Sequence, residues 1–453
     1  MTWPAVRLLL LLFVLGYAQR PSSSPSSYPT TVAATPSPKW ALLLLPTDAG
    51  ALCLDGSPAP LLIKPGYGPN ASRWIYFFEG GGWCSSLGDC AARTKTKWGS
   101  SSFYSPGSSL PEMHDLLSSS CALNPAFCAW SKVYVPYCDG SSGTGNVDDP
   151  YLVTQEGEGD VQVQVWSRGW RILQTALEVL LGPSPLDEGM GQTAEDRELL
   201  QLMPSLADAQ QLVVSGASAG GMAALLHVDD IAAAVRAKSP TVDVSVVAFS
   251  GFFVDMPDTG GNHSFAQMLR DVSVLHGASG GVQQADVGGC GVTTSPADAS
   301  PWRCLLPQYF FPAVRARSFI VGSKSDPTHI SLGSGVALQQ CAFSEFCSST
   351  QQLQFSSWAT TYVRLLQSAL RVTPAGARAG SGGFISSCAI HTYVNRWTRH
   401  VAIQNVTIYD ALVAWFQQNR APERSRWYLD GMVRRRGEGR RAARGGGRRE
   451  GFM

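Results

Sequence analysis

The chain has 453 residues, 44% hydrophobic and 15% charged, enough to bury a core of enzyme size and too long for a disulfide-held mini-protein. Its 46 Gly and 28 Pro follow no collagen period, and 13 Trp with 18 Phe exclude a wholly disordered chain. The net charge of +1 divides unevenly: residues 434–450 carry eight Arg and two Glu, or +6, leaving −5 for a body that is a poor match to a nucleic-acid-binding surface.

Residues 1–18 read as a secretory signal peptide, with Arg7, the apolar run 8–15, and Gly16 and Ala18 as the small residues of a cleavage site. That run falls well short of the ~20 residues that cross a bilayer, so no membrane span is expected. Residues 19–39, rich in Ser, Thr and Pro, suit an extended linker. The folded domain is expected over 40–420, and the product is expected to be secreted, extracellular or in a cell wall. An oxidising compartment favours disulfides among the 11 cysteines. Cys84/Cys90, Cys121/Cys128 and Cys341/Cys347 have the spacing of small closed loops, and the odd count leaves one cysteine over. None has zinc-ligand spacing. Asn70, Asn262 and Asn405 head glycosylation sequons.

Within the domain, apolar runs read as buried strands at 74–78 (WIYFF), 132–137 (KVYVPY), 211–215 (QLVVS), 242–249 (VDVSVVAF) and 318–321 (SFIV). Helical patterns lie at 168–181, 221–238 and 358–370. Strands interleaved with helices predict an α/β fold with a sheet covered by helices on both faces.

The first strand runs into Glu79-Gly80-Gly81-Gly82-Trp83, where glycines let the backbone turn its amides into a site. The second runs into Asp139-Gly140-Ser141-Ser142, whose plain reading is a turn with a side-chain hydrogen bond from Asp139. After the third comes Gly216-Ala217-Ser218-Ala219-Gly220, followed by a helix. A serine between glycines at a strand-to-helix turn is the nucleophile-elbow pattern, which exposes Oγ above the sheet. Such a serine needs a base and a group to orient that base. Asp326 lies just beyond the strand 318–321 and His391 follows it, giving the order Ser, Asp, His. On order alone His400 competes with His391, and Asp286 and Asp298 compete with Asp326, while Asp255 or Asp258 could close a turn after the strand 242–249. Negative charge developing on an ester carbonyl oxygen calls for backbone donors, and the N–H groups of Gly82, Trp83 and Ala219 are the candidates. The chemistry needs no metal or organic cofactor.

Glu79-Gly-Gly-Gly-Trp-Cys84, Tyr137-Cys-Asp-Gly-Ser-Ser142, Ser215-Gly-Ala-Ser-Ala-Gly-Gly221, Leu226-His-Val-Asp229 and Ser387-Cys-Ala-Ile-His391 together resemble the pectin acetylesterase family, which also includes palmitoleoyl-protein carboxylesterases of the Notum type. The similarity runs from about Cys53 to Trp397. It implies a secreted carboxylesterase of α/β-hydrolase-like fold, with a mostly parallel sheet, a triad at Ser218, Asp326 and His391, and an oxyanion site at Gly82, Trp83 and Ala219. The direct Trp83-Cys84 junction is the more plant-like form. Two departures stand out: His329 replaces a common Gln three residues after the acid, and Thr392-Tyr393 follow the histidine in place of Cys-Gln. The expected substrate is an acetylated acidic polysaccharide such as pectin. A lipid-ester or palmitoleoyl-protein hydrolase, or an inactive hydrolase fold that only binds, is the alternative. The Arg/Gly-rich tail, 421–453, is expected to be disordered; an anionic glycan would fit its charge, and a solvated extension is the plainer reading.

Overall fold

The computed structural model describes residues 40–105, 116–155, 161–183, 191–278, 301–342, 347–371, 380–393, 397–417 and 427–430. The signal peptide and linker (1–39), most of the tail, His114, Asp286 and Asp298 lie outside them.

Among the described residues nine strands form one sheet: β1 (Ala41–Leu44), β2 (Pro60–Lys64), β3 (Arg73–Phe78), β4 (Ser131–Val135), β7 (Gln211–Ala217), β8 (Asp243–Phe249), β9 (Arg317–Ser323), β10 (Gly382–Ser386) and β13 (Trp427–Leu429). Their spatial order is β1-β2-β4-β3-β7-β8-β9-β10-β13. The β1–β2 and β2–β4 pairs are antiparallel and all others parallel, giving the mostly parallel sheet of an α/β-hydrolase-like fold. Two hairpins lie apart from it, β5 (Tyr151–Gln155) with β6 (Val161–Val165), and β11 (Ala402–Ile403) with β12 (Val406–Thr407).

The period-2 alternation of strand side chains divides the core. Trp74, Tyr76 and Phe78 join the helices Gly169–Leu181 and Ala219–Arg236 on one face, whereas Ile75 and Phe77 join the helix Ile408–Gln417 on the other. A strand buried on both sides reads as an unbroken apolar run, which is why β3, β7 and β8 are visible in the sequence.

Register positions the loops. Phe78 pairs with both Val135 and Gly216, Phe249 with both Ala217 and Val321, and Ser323 with Ser386. The segments after β3, β4, β7, β9 and β10 therefore all leave the sheet at its carboxyl end, where open α/β sheets place their ligands.

The domain does not end at residue 420. Trp427–Leu429 pairs in parallel with β10, and the Trp427 ring packs over Gly383, where a Cβ would approach it to 2.3 Å. Asp430 then accepts the Ser387 N–H at 3.3 Å, and its carbonyl accepts Lys324 Nζ at 3.0 Å, pinning both neighbouring loops. Three apolar residues between Arg426 and Asp430 are too short a signal to read as a strand.

Among the described residues the small loops close as expected, Cys84–Cys90, Cys121–Cys128 and Cys341–Cys347. A fourth disulfide, Cys53–Cys138, joins residues 85 apart, and Cys388 is free.

Candidate active site

The turn from β7 into the helix Ala219–Arg236 is built from small residues because nothing larger fits. A Cβ on Gly216 would come within 2.2 Å of the Gly220 carbonyl oxygen, and one on Gly220 within 2.3 Å of the Phe78 and Glu79 oxygens. Ser218 between them has φ 56° and ψ −126°, a backbone conformation that costs a non-glycine residue about 1–3 kcal/mol. Its N–H donates to the Phe249 carbonyl at 2.8 Å, which locks the turn to β8.

His391, on the loop after β10, places Nε2 2.8 Å from Ser218 Oγ. Its Nδ1 lies 2.8 Å from Asp326 Oδ2 and 3.0 Å from Oδ1. Asp326 caps the helix Pro327–Ser334, accepting the N–H groups of Thr328 at 2.9 Å and His329 at 3.1 Å through Oδ1. Its side chain is fully buried, that of His391 18% exposed. Burial alone would raise the Asp326 pKa, but the neighbouring histidines and the His329 N–H outweigh it and hold the carboxyl below the usual range. Ser218, His391 and Asp326 thus form one hydrogen-bonded chain with its open end at Oγ.

Among the described residues, His227, His263 and His276 have other partners. His400 is exposed. His227 is buried with Nε2 3.0 Å from the Ser142 carbonyl, and burial lowers its pKa to about 4. His263 pairs with Asp255 at 2.7 Å, and Asp258 organises the turn around Asn262. His276 bonds Ser167 Oγ at 2.7 Å and the Cys84 carbonyl at 3.0 Å. Of the sequons, Asn262 and Asn405 are exposed, the latter at the β11–β12 turn, and Asn70 is half-buried ahead of β3.

Beside Oγ runs the loop Glu79–Trp83, with Gly82 at φ 68°. Among the described residues the N–H groups of Gly82, Trp83 and Ala219 have no protein acceptor, while the carbonyls of the same loop are tied back. Arg93 donates to the Gly81 oxygen at 2.7 Å and the Trp83 oxygen at 2.9 Å, and the Tyr137 hydroxyl donates to the Gly82 oxygen. Gly81 is obligatory, since a Cβ would sit 2.2 Å from the Tyr137 ring. The Trp83 indole N–H donates to Ser142 Oγ at 2.8 Å, and that hydroxyl donates to the Ala219 carbonyl at 2.9 Å. Asp139 closes the expected turn, accepting from Ser141 N, Ser141 Oγ and Gly143 N.

Arg93, Tyr137 and Ser142 are the residues that sequence reasoning did not single out. Ser142 and Tyr137 lay within a motif it did notice; an arginine on the helix Leu87–Arg93 carried no signal. Arg93→Ala is expected to lower kcat for p-nitrophenyl acetate by about tenfold or more, with little change in KM, because the loop loses the clamp that aims its amides. An unchanged kcat would remove that role.

Asp326, His329 and His391 offer ligand-type atoms within 4.8 Å of one another, but His391 and Asp326 face each other and His329 Nε2 faces the Ser250 carbonyl at 3.2 Å. Their hydrogen bonds account for the cluster without a metal. Cys84 and Cys90, grouped with His276, are joined as a disulfide.

The family model "Pectinacetylesterase" matches residues 34–195 and 190–428. Pectin acetylesterase 5 of Arabidopsis thaliana is 30% identical over 323 residues, 70% of this chain and 65% of that protein. Pectin acetylesterase 7 of the same plant is 26% identical over 381 residues, covering 81% and 84%. The palmitoleoyl-protein carboxylesterase notum2 of Xenopus laevis is 26% identical over 386 residues, 82% of this chain and 67% of that protein. The chain spans about two thirds of the length of the first of these relatives. With a family match running nearly from end to end of the folded region, the chain belongs to the pectinacetylesterase family.

Proposed function

We propose that the chain is a serine carboxylesterase that removes O-acetyl groups from an acidic polysaccharide such as pectin. The observation that carries the hydrolase reading is the double contact of His391, 2.8 Å from Ser218 Oγ on one nitrogen and 2.8 Å from Asp326 on the other. Ser218 Oγ attacks the ester carbonyl as His391 Nε2 takes its proton, and Asp326 holds Nδ1–H and stabilises the charged ring. The amides of Gly82, Trp83 and Ala219 receive the charge growing on the carbonyl oxygen. His391 next protonates the departing alcohol, leaving the acyl group on Ser218. It then deprotonates a water that attacks the acyl-enzyme and releases the acid.

The acetyl part of the reading draws on the relatives named pectin acetylesterases and on aromatic packing at the site. Phe253 lies 6.5 Å from the His391 ring, 4.9 Å from Trp83 and 5.7 Å from Phe265, centroid to centroid, and all three phenyl and indole side chains are buried. A wall so filled supports a small acyl group. The relation to a palmitoleoyl-protein carboxylesterase makes a lipid ester the second reading. The disulfides support folding in an oxidising compartment, and hence export to the cell exterior or wall. No helix among the described residues is long and apolar enough to cross a membrane.

The deciding experiment compares p-nitrophenyl acetate, butyrate, octanoate and palmitate, with acetate release from acetylated pectin in parallel. kcat/KM is expected to be highest for acetate and at least about tenfold lower for octanoate, with acetate freed from pectin. A preference for octanoate or longer would transfer the reading to a lipid ester, and no turnover at all would leave a binding role.

A further inference from the structure

His329 is a buried imidazole that the mechanism above does not use. It lies one turn into the helix capped by Asp326, and its side chain is 3% exposed. Nε2 is 3.2 Å from the Ser250 carbonyl oxygen, which can only accept, so this nitrogen carries the proton. Nδ1 is buried without a partner among the described residues. The groups facing the ring are Asp326 on its own helix, with Oδ2 4.0 Å from Nε2, His391 on the catalytic loop and Tyr362 on the helix Ser349–Arg371, each of the last two with its ring centre 5.8 Å away. Phe253 closes the remaining side at 4.1 Å.

Ser250, the acceptor, is a junction. Directly after β8, it has φ 49° and donates its N–H to Val321 of β9 at 2.7 Å. Its Oγ accepts the N–H of Thr392 at 3.1 Å. Thr392 follows His391 and is itself at φ 60°. Two non-glycine residues in the left-handed region, joined by a hydrogen bond, persist only where the surroundings hold them. His329 supplies a side-chain contact to that junction from the helix that carries the acid.

We infer that His329, uncharged and protonated on Nε2, is a positioning residue that fixes the His391 loop through Ser250. The inference rests on the serine-esterase reading. A second proton would leave an Nδ1–H without an acceptor and set a cation beside the carboxylate that His391 requires. Burial is the main influence on this ring and holds its pKa below the ordinary histidine value; Asp326 opposes the shift and His391 adds to it. With a neutral donor at this place, His391 is the side chain among the described residues that hydrogen-bonds Asp326, beside the Thr328 and His329 amides.

The test compares His329→Gln with His329→Leu on p-nitrophenyl acetate, with Ser218→Ala as control. Leucine cannot donate to Ser250, and kcat is expected to fall about 10- to 100-fold with KM within about twofold. Glutamine carries a side-chain N–H at similar reach and is expected to stay within about threefold of the parent. The double variant Ser250→Ala, His329→Leu is expected to lose no more than the worse single one, because both act on one junction. Equal losses in folded His329→Gln and His329→Leu, an unaltered kcat in His329→Leu, or additive losses in the double variant would each overturn the inference. Should the leucine variant not fold, imidazole NMR of the unaltered protein decides: a neutral ring protonated on Nε2 is expected at neutral pH, and an Nδ1-protonated or doubly protonated ring there overturns the inference. Activity surviving in Ser218→Ala would instead defeat the serine-esterase reading itself.

Discussion

Replacing Ser218 with alanine is expected to lower kcat for p-nitrophenyl acetate by about 10⁴-fold or more while leaving the protein folded. Ser218 Oγ is the hydroxyl within 2.8 Å of His391 Nε2, and without it no acyl-enzyme forms. Alanine has the same backbone restrictions as serine, so the strained turn at φ 56° gains no new cost, and the flanking glycines still allow the close approach of β3. What remains is attack by water assisted by His391 and the loop amides. The complementary check is covalent: a fluorophosphonate should add to one serine of the parent, in the peptide containing Ser218, and leave the variant unmodified. Labelling elsewhere, or turnover within tenfold of the parent, would end the assignment.

Asp326→Asn is expected to cost about 10⁴-fold in kcat at neutral pH with the fold retained. The asparagine oxygen can still accept the Thr328 and His329 amides that Oδ1 accepts now. Its NH₂ group would then face His391 Nδ1 and require an acceptor there, which moves the ring proton to Nε2. A histidine protonated on Nε2 cannot take the proton of Ser218, so the loss falls on kcat and not on binding. His391→Ala should reach a similar loss, and His400→Ala, an exposed position, should stay within twofold. A fully active Asp326→Asn protein, or inactivation by His400→Ala, would require another arrangement.

The centre of the fold was legible because parallel strands buried on both faces leave unbroken runs of Val, Ile and Phe; β3, β7, β8 and β9 are of that kind. β10 reads GGFIS and β13 reads WYL, and neither offers enough apolar sequence to stand out, although both are pinned by neighbours. Ser218 was marked by local geometry, since only glycines fit on either side of it. Chain order left His391 and His400 open, because which of them reaches Oγ depends on how β10 ends, a non-local matter. Arg93, Tyr137 and Ser142 escaped for the same reason: each acts on a carbonyl or indole 10 to 77 positions away. The clamp on the glycine loop is a product of the register of β3 and β4, which no stretch of sequence states.

Two of the disulfides meet behind that loop. Cys53–Cys138 ties the segment before β2 to the one after β4, Cys84–Cys90 anchors the end of the glycine loop to the Arg93 helix, and Cys84 N–H donates to the Gly140 carbonyl at 3.1 Å between them. Neither bond joins two strands of the central sheet, which has its own ladders and apolar packing on both faces. Chain made under reducing conditions is therefore expected to keep its sheet while the wall behind the glycine loop goes slack, and to pass tests of secondary structure yet hydrolyse esters poorly. Redox history during folding is therefore expected to set specific activity, a point checked by comparing preparations by the fraction of serine that titrates as well as by mass.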